Sequence, residues 1–199
     1  TGEVRDVVLR GNVIVNNEDP DHPLRSTLQG IGCFDGLFVD WIVENNVVVT
    51  DHWHGISLYG AIGGRVVNNT VLDLNGASPG PPWIMLNSHG GTPSQNVVVR
   101  NNLATDFAIS GTGIVQDHNL EIVDPAALFV APPFDVHLKA GSSAIDAGSP
   151  ALAPPFDAER VARPQGGGVD LGAYERCPSC LFSDGFEHGD TSGWRALGP

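Results

Sequence analysis

Lysine is almost missing. Of ten basic residues only Lys139 is a lysine, and 23 acidic residues bring the net charge to −13. Such a chain lacks the basic face that a nucleic-acid backbone requires. It also repels a strongly anionic polymer unless a cation mediates. No apolar run reaches the roughly 18 residues of a membrane-spanning helix, and no stretch sustains a helical period. Cysteine is limited to three residues. Cys177 and Cys180 form "CPSC", with neither a second CxxC nor an HxxxH to complete a zinc site and no βαβ pattern around a redox pair. A small disulfide loop of an exported protein is therefore expected. No signal-peptide-like segment heads the chain, and Thr1 abuts a strand unit, so a mature product, or a fragment whose cap lies upstream, is expected.

What the sequence does have is repetition. "GISLYGA" (Gly55 to Ala61) lies over "GIGCFDG" (Gly30 to Gly36), matching Ile31 with Ile56 and Cys33 with Leu58. "WIMLNSHG" (Trp83 to Gly90) puts Ile84 and Leu86 in the same places, and Ile109 in "FAISG" continues the series. The steps are 25, 28 and 25 residues, and Ile31, Ile56, Ile84 and Ile109 are expected in one internal column. A second series places Asn12, Asn46, Asn69, Asn102 and Asn119 before short apolar runs such as "NVVV" and "NTVL", with gaps of 34, 23, 33 and 17.

A period in the twenties built of short β-branched strands indicates a solenoid, in which stacked units bury the face that one unit cannot. Asn tolerates left-handed backbone and pairs by its amide with the next Asn, so a ladder of Asn46, Asn69 and Asn102 is expected at one bend. The fold class read from these patterns is all-β: a parallel β-helix of about four to five coils over residues 1–125. A Pro/Gly-rich closing segment, 126–176, and an acidic tail, 177–199, follow. Polar loops over 17–29 and 75–83 leave the stack near "GISLYG" and form the expected binding wall.

The run "HLKAGSSAIDAG" followed by "RPQGGGVDLGAYE" resembles the closing segment of many secreted bacterial right-handed parallel β-helix proteins of the pectate-lyase-like superfamily. "NNVVVTDHWHGISLYGA" is similar to coils of the same group. The resemblance implies a right-handed single-stranded β-helix, an extracellular location and work on polysaccharides. "LFSDGFEHGDTSGW" resembles a short motif near the C-terminus of exported bacterial proteins and the opening strand of calcium-bearing carbohydrate modules. Asp184, Glu187 and Asp190 are its candidate calcium ligands.

With the isoleucine column inward, alternation sends Phe34, Tyr59 and Asn87 outward. Phe34 and Tyr59, with Trp53, Trp83, Asn87 and His89, are the candidate carbohydrate contacts, because aromatic faces pack on sugar C–H groups. "DHWH" sets His52 and His54 beside Asp51 at the bend before Tyr59. If the protein is a uronan lyase or epimerase, His54 or His52 serves as base and Tyr59 as acid. Arg65, or calcium held by Asp35 and Asp51, then neutralises the substrate carboxylate. Arg100 is a second candidate for that role. The alternatives are a glycan-binding or adhesin module that breaks no bond, and a solenoid that self-associates through its ends. Cys33, on an inward position, is expected to be a core thiol.

Overall fold

The computed structural model describes residues 2–16 and 27–178. It is all-β, with four parallel sheets and one antiparallel hairpin among the described residues. Sheet A contains Glu3–Arg5, Leu37–Val39 and Ala61–Ile62; sheet B contains Val8–Arg10, Ile42–Glu44, Arg65–Val67, Val98–Arg100 and Val115–Asp117. Sheet C contains Val13–Val15, Val47–Thr50, Thr70–Asp73, Leu103–Ala104 and Leu120–Glu121. Sheet D contains Ile31–Cys33, His54–Tyr59, Trp83–Asn87 and Asp106–Ile109. The chain visits D, A, B and C in turn and then returns to D one level on, with single bridges at Gln95 and Thr112 in place of sheet A strands in the last two passes. This connectivity is consistent with a parallel β-solenoid.

Strands of two to six residues form because apolar and polar positions alternate over short β-branched runs, and each run stops at a residue suited to left-handed backbone. Two columns of such residues recur. Between sheets A and B stand Asp6, Asp40, Gly63, Asn96 and Gly113; between B and C stand Gly11, Asn45, Asn68, Asn101 and His118, all with φ from 51° to 68°. The next residue in the second column is the ladder asparagine. Each amide donates to the carbonyl oxygen of the following Asn side chain: Asn12 to Asn46 at 2.8 Å, Asn46 to Asn69 at 2.9 Å, Asn69 to Asn102 at 3.0 Å and Asn102 to Asn119 at 2.8 Å. The expected ladder is present and is longer by one residue at each end.

Inside, Val43, Val66 and Val99 from sheet B meet Val48 and Val71 from sheet C and Ile56, Leu58, Ile84 and Leu86 from sheet D, each essentially inaccessible to water. Burial of each such side chain contributes about 1.5–3 kcal/mol. Ile31, Ile56 and Ile84 are in register as expected, but the fourth member is not Ile109. Ile84 pairs with Phe107, and Ile109 pairs with Leu86 two residues later. The strand after Thr105 starts two residues earlier than a repeat of 25 predicts, and both residues point inward, so the pattern alone does not distinguish them.

Cys33 is a free thiol packed against this core, and burial raises its pKa, which keeps it protonated and unreactive. In the last pass Gln116 and Glu121 take the inward positions that Val99 and Ala104 hold one level earlier. A second copy stacked on that end would bury the Glu121 carboxylate, a standard protection of open strand edges.

After Glu121 come a one-turn helix, Pro125–Leu128, capped by Asp124, and a hairpin of Phe129–Ala131 with Asp135–Leu138. The remaining segment lies along the outer face of sheet C. Leu171, Ala173 and Tyr174 pack there with Val47, Val49, Leu72 and Leu103 to form a second core. It is fastened to the left-handed column: Asn45 donates to Phe156 O, Asn68 to Asp170 O, and Asn101 to Ser149 O. Beneath lies a buried ion pair, Arg163 with Glu175 at 2.7 Å, both side chains 1% exposed. Cys177 is disulfide-bonded. Cys180 and the proposed tail ligands Asp184, Glu187 and Asp190 lie outside the described residues.

Candidate functional site

The aromatic residues singled out in the sequence converge on the outer face of sheet D. A bulge places the central one. His54 pairs with Trp83 and Ile56 with Ile84, so Gly55 is an extra residue in its strand. Strict alternation from inward Ile56 would turn His54 into the core; the bulge turns it out. Gly55 has to be glycine, because a Cβ there would stand 2.3 Å from Val71.

His54 is the hub of the cluster. Its ring centroid lies 4.7 Å from Phe34, 5.3 Å from His52, 5.8 Å from Trp83 and 6.4 Å from Tyr59. Phe34 and Tyr59 meet edge to face at 5.2 Å, the expected outward pair. Trp53, 45% exposed, stacks on Trp83 at 6.4 Å with their planes 17° apart. The result is an aromatic surface with one indole open to solvent.

The imidazoles are held in defined tautomers. Trp83 Nε1–H donates to His54 Nδ1 at 3.4 Å, and the Ser57 hydroxyl lies 2.9 Å from the same nitrogen. An indole only donates, so Nδ1 is the acceptor and the His54 proton sits on Nε2. The His54 backbone N–H donates to His52 Nδ1 at 3.1 Å, which fixes His52 the same way. Burial lowers the pKa of both; Asp51 partly opposes this at His52, and the neighbouring His52 adds to it at His54. A His pKa depressed on folding stabilises the fold fully above the unfolded value near 6.5, and the benefit is lost as pH falls through the folded value. Nitrogen-15 NMR is therefore expected to show both rings neutral, with the proton on Nε2, at pH 6.5, and urea titrations to show stability declining below it. A ring half-protonated at or above pH 6.5 would contradict this placement.

No protein-family model, curated protein or solved structure matches the chain. The geometry is therefore the basis for reading the site.

Several expected members stand elsewhere. Arg65 is on sheet B, carried there by the left-handed turn at Gly63 and Gly64, and its guanidinium holds Glu44 at 3.1 and 3.2 Å. Arg100, on the same sheet, grips Asp117 with two nitrogens. Neither neutralises a carboxylate above His54. His89 does not join the other histidines: its Nδ1 bonds Phe34 O at 2.9 Å, and its Nε2 faces Asp35 at 3.7 Å. The Asp35 side chain is fully exposed whereas Asp51 is buried. No group of three or more His, Cys, Asp or Glu side chains among the described residues is arranged to hold a metal ion. Asn87 ends its strand in register with Tyr59, its side-chain oxygen taken by the Ser88 N–H. Ser57, the unanticipated partner of His54, was legible only as an outward position; the bulge that brings the two together has no signal beyond Gly55.

Chemically, His54 presents an N–H where a base needs a lone pair, since Nδ1 is already taken by two donors. The face offers apolar ring surface, an imidazole N–H and, at its rim, the Asp35 carboxylate.

Proposed function

We propose that this is an exported right-handed parallel β-helix protein, allied to the pectate-lyase-like superfamily, that binds a glycan on the aromatic face of sheet D without cleaving it. The observation that carries the reading is the Trp53–Trp83 stack with its open indole, continued by His54, Phe34 and Tyr59. Exposed flat rings suit the C–H faces of pyranoses, and tryptophan in such a position commonly dominates binding energy. Two features favour binding over uronan elimination or epimerisation. The proton-abstracting nitrogen of His54 is engaged, and Arg65 stands on another sheet. Calcium is not required by this reading.

Affinity electrophoresis and tryptophan fluorescence against a panel of neutral glycans and uronans test it. At least one glycan is expected to bind, and Trp53→Ala to weaken that binding about tenfold or more, the ~1.4 kcal/mol or greater of an aromatic anchor, while the circular dichroism spectrum stays unchanged. Unsaturated product appearing with any uronan would replace the binding reading with the lyase one. Binding that ignores Trp53→Ala would remove the site.

A further inference from the structure

A polar groove, away from the aromatic face of sheet D, lies where the closing segment crosses the turn between sheets B and C. It encloses about 340 Å³ between Arg10 and Glu44 on one side and Pro155, Phe156 and Arg160 on the other. We propose that it binds a carboxylate carried on a ring, the chemistry shared by an acidic sugar and an aromatic acid.

In a chain of net charge −13, both carboxylates lining this groove are already satisfied. Glu44 is 2% exposed in its side chain and held between Arg10 at 2.6 Å and Arg65 at 3.1 Å. Asp157 accepts the backbone N–H groups of Glu159, Val161 and Glu175. Among the described residues, Arg10 bonds Glu44 through its Nε, and its two terminal nitrogens have no hydrogen-bond partner. The Arg160 guanidinium has no hydrogen-bond or ion-pair partner among the described residues. The groove therefore faces an incoming ligand with two cationic forks, the donor geometry that fits a carboxylate.

The Arg160 backbone is held in place. It occupies a left-handed backbone position at φ 75°, where glycine or asparagine is the ordinary choice. A tight turn keeps it there: Arg160 N–H donates to Asp157 O, Asp157 N–H to Val161 O, and Phe156 bridges to Ala162. Phe156, 47% exposed, and Pro155 line the same groove, an apolar wall suited to the face of a ring. The two requirements, an anion and a flat apolar face, meet in one ligand class.

The test titrates the full chain with sodium glucuronate, sodium benzoate and neutral glucose, following the backbone amides of Gly11, Asn45 and Ala158 by NMR. At least one acid is expected to shift these amides saturably, with affinity falling as salt rises, and glucose is expected to leave them unmoved. Glucuronate binding more tightly identifies an acidic sugar as the natural class, and benzoate an aromatic acid. Arg160→Gln is expected to weaken the tighter acid at least about fivefold, and Phe156→Ala to weaken it without removing the salt dependence. Neither acid binding, glucose binding equally well, or Arg160→Gln leaving the affinity unchanged would overturn the proposal.

Discussion

Arg163→Ala is expected to destabilise the protein by about 3–5 kcal/mol, the usual cost of removing one partner of a buried ion pair. Arg163 is 1% exposed in its side chain and holds more than Glu175. Its terminal nitrogens also donate to Gly172 O at 2.9 Å, Asp170 O at 3.3 Å and Asn45 Oδ1 at 3.4 Å. Glu175, Asp157 and Asp170 are buried around it, and desolvation raises the pKa of all three. Alanine leaves these carboxylates without their cation. Arg163→Lys is expected to lose less than Ala but more than a surface change, because an ammonium keeps the charge and not the planar fork.

The pH dependence separates this mechanism from a simple packing loss. A carboxyl group whose folded pKa is raised binds its proton more tightly in the folded state. Its favourable contribution is fully present below the unfolded pKa, near 4, and is lost as pH rises through the folded value. Without Arg163 these pKa values rise further, so the deficit of the alanine variant should shrink as pH is lowered toward 4. Urea unfolding at several pH values measures it. A deficit below about 1 kcal/mol, or one independent of pH, would show that the pair is not what fastens the closing segment.

Asn69→Leu is expected to cost about 3 kcal/mol or more. Asn69 is wholly buried at the middle of the ladder. It accepts from the Asn46 backbone N–H at 3.0 Å and the Asn46 amide at 2.9 Å. It donates to Val43 O, Val67 O and Asn102 Oδ1 at 3.0 to 3.1 Å. Leucine has a similar volume and satisfies none of these groups, and water cannot reach them. Asn12→Leu, at the exposed first rung, is expected to cost about 1 kcal/mol or less, because solvent replaces the lost bond. Equal losses at both positions would mean that the ladder is incidental and the leucine branch the real fault.

The ladder was legible because an amide chain must recur at the pitch of the stack, and Asn12, Asn46, Asn69, Asn102 and Asn119 show that recurrence directly. The left-handed column at Asp6, Asp40, Gly63, Asn96 and Gly113 was just as regular but mixed three residue types, and identity alone hid it. The Phe34–Tyr59 pair followed from alternation. His54 reached the same face only through a bulge, which breaks the alternation on which such reasoning depends. Arg65 was misplaced because the turn at Gly63 and Gly64 moves the chain to a new sheet, so nearness in sequence to Tyr59 did not become nearness in space. Arg163, Asp170 and Glu175 were seen only as part of a resemblance. Their contacts with one another and with Asn45 span up to 118 residues, and no local pattern reports a pairing of that length.

The two left-handed columns keep a fixed interval. Asp6 to Gly11, Asp40 to Asn45, Gly63 to Asn68, Asn96 to Asn101 and Gly113 to His118 are each five residues apart, although successive levels differ in total length from 17 to 34. All length variation therefore falls outside that arc, on the side that carries sheet D and its loops. Lengthening a flexible loop costs little, about 0.6 kcal/mol per doubling, whereas one residue added within the arc would turn the rest of that strand's side chains to the opposite face. The molecule divides into a ruler and a margin. New sequence, whether acquired by drift or grafted by design, is tolerated at the margin, beside the aromatic face, while the ruler maintains the spacing beneath it.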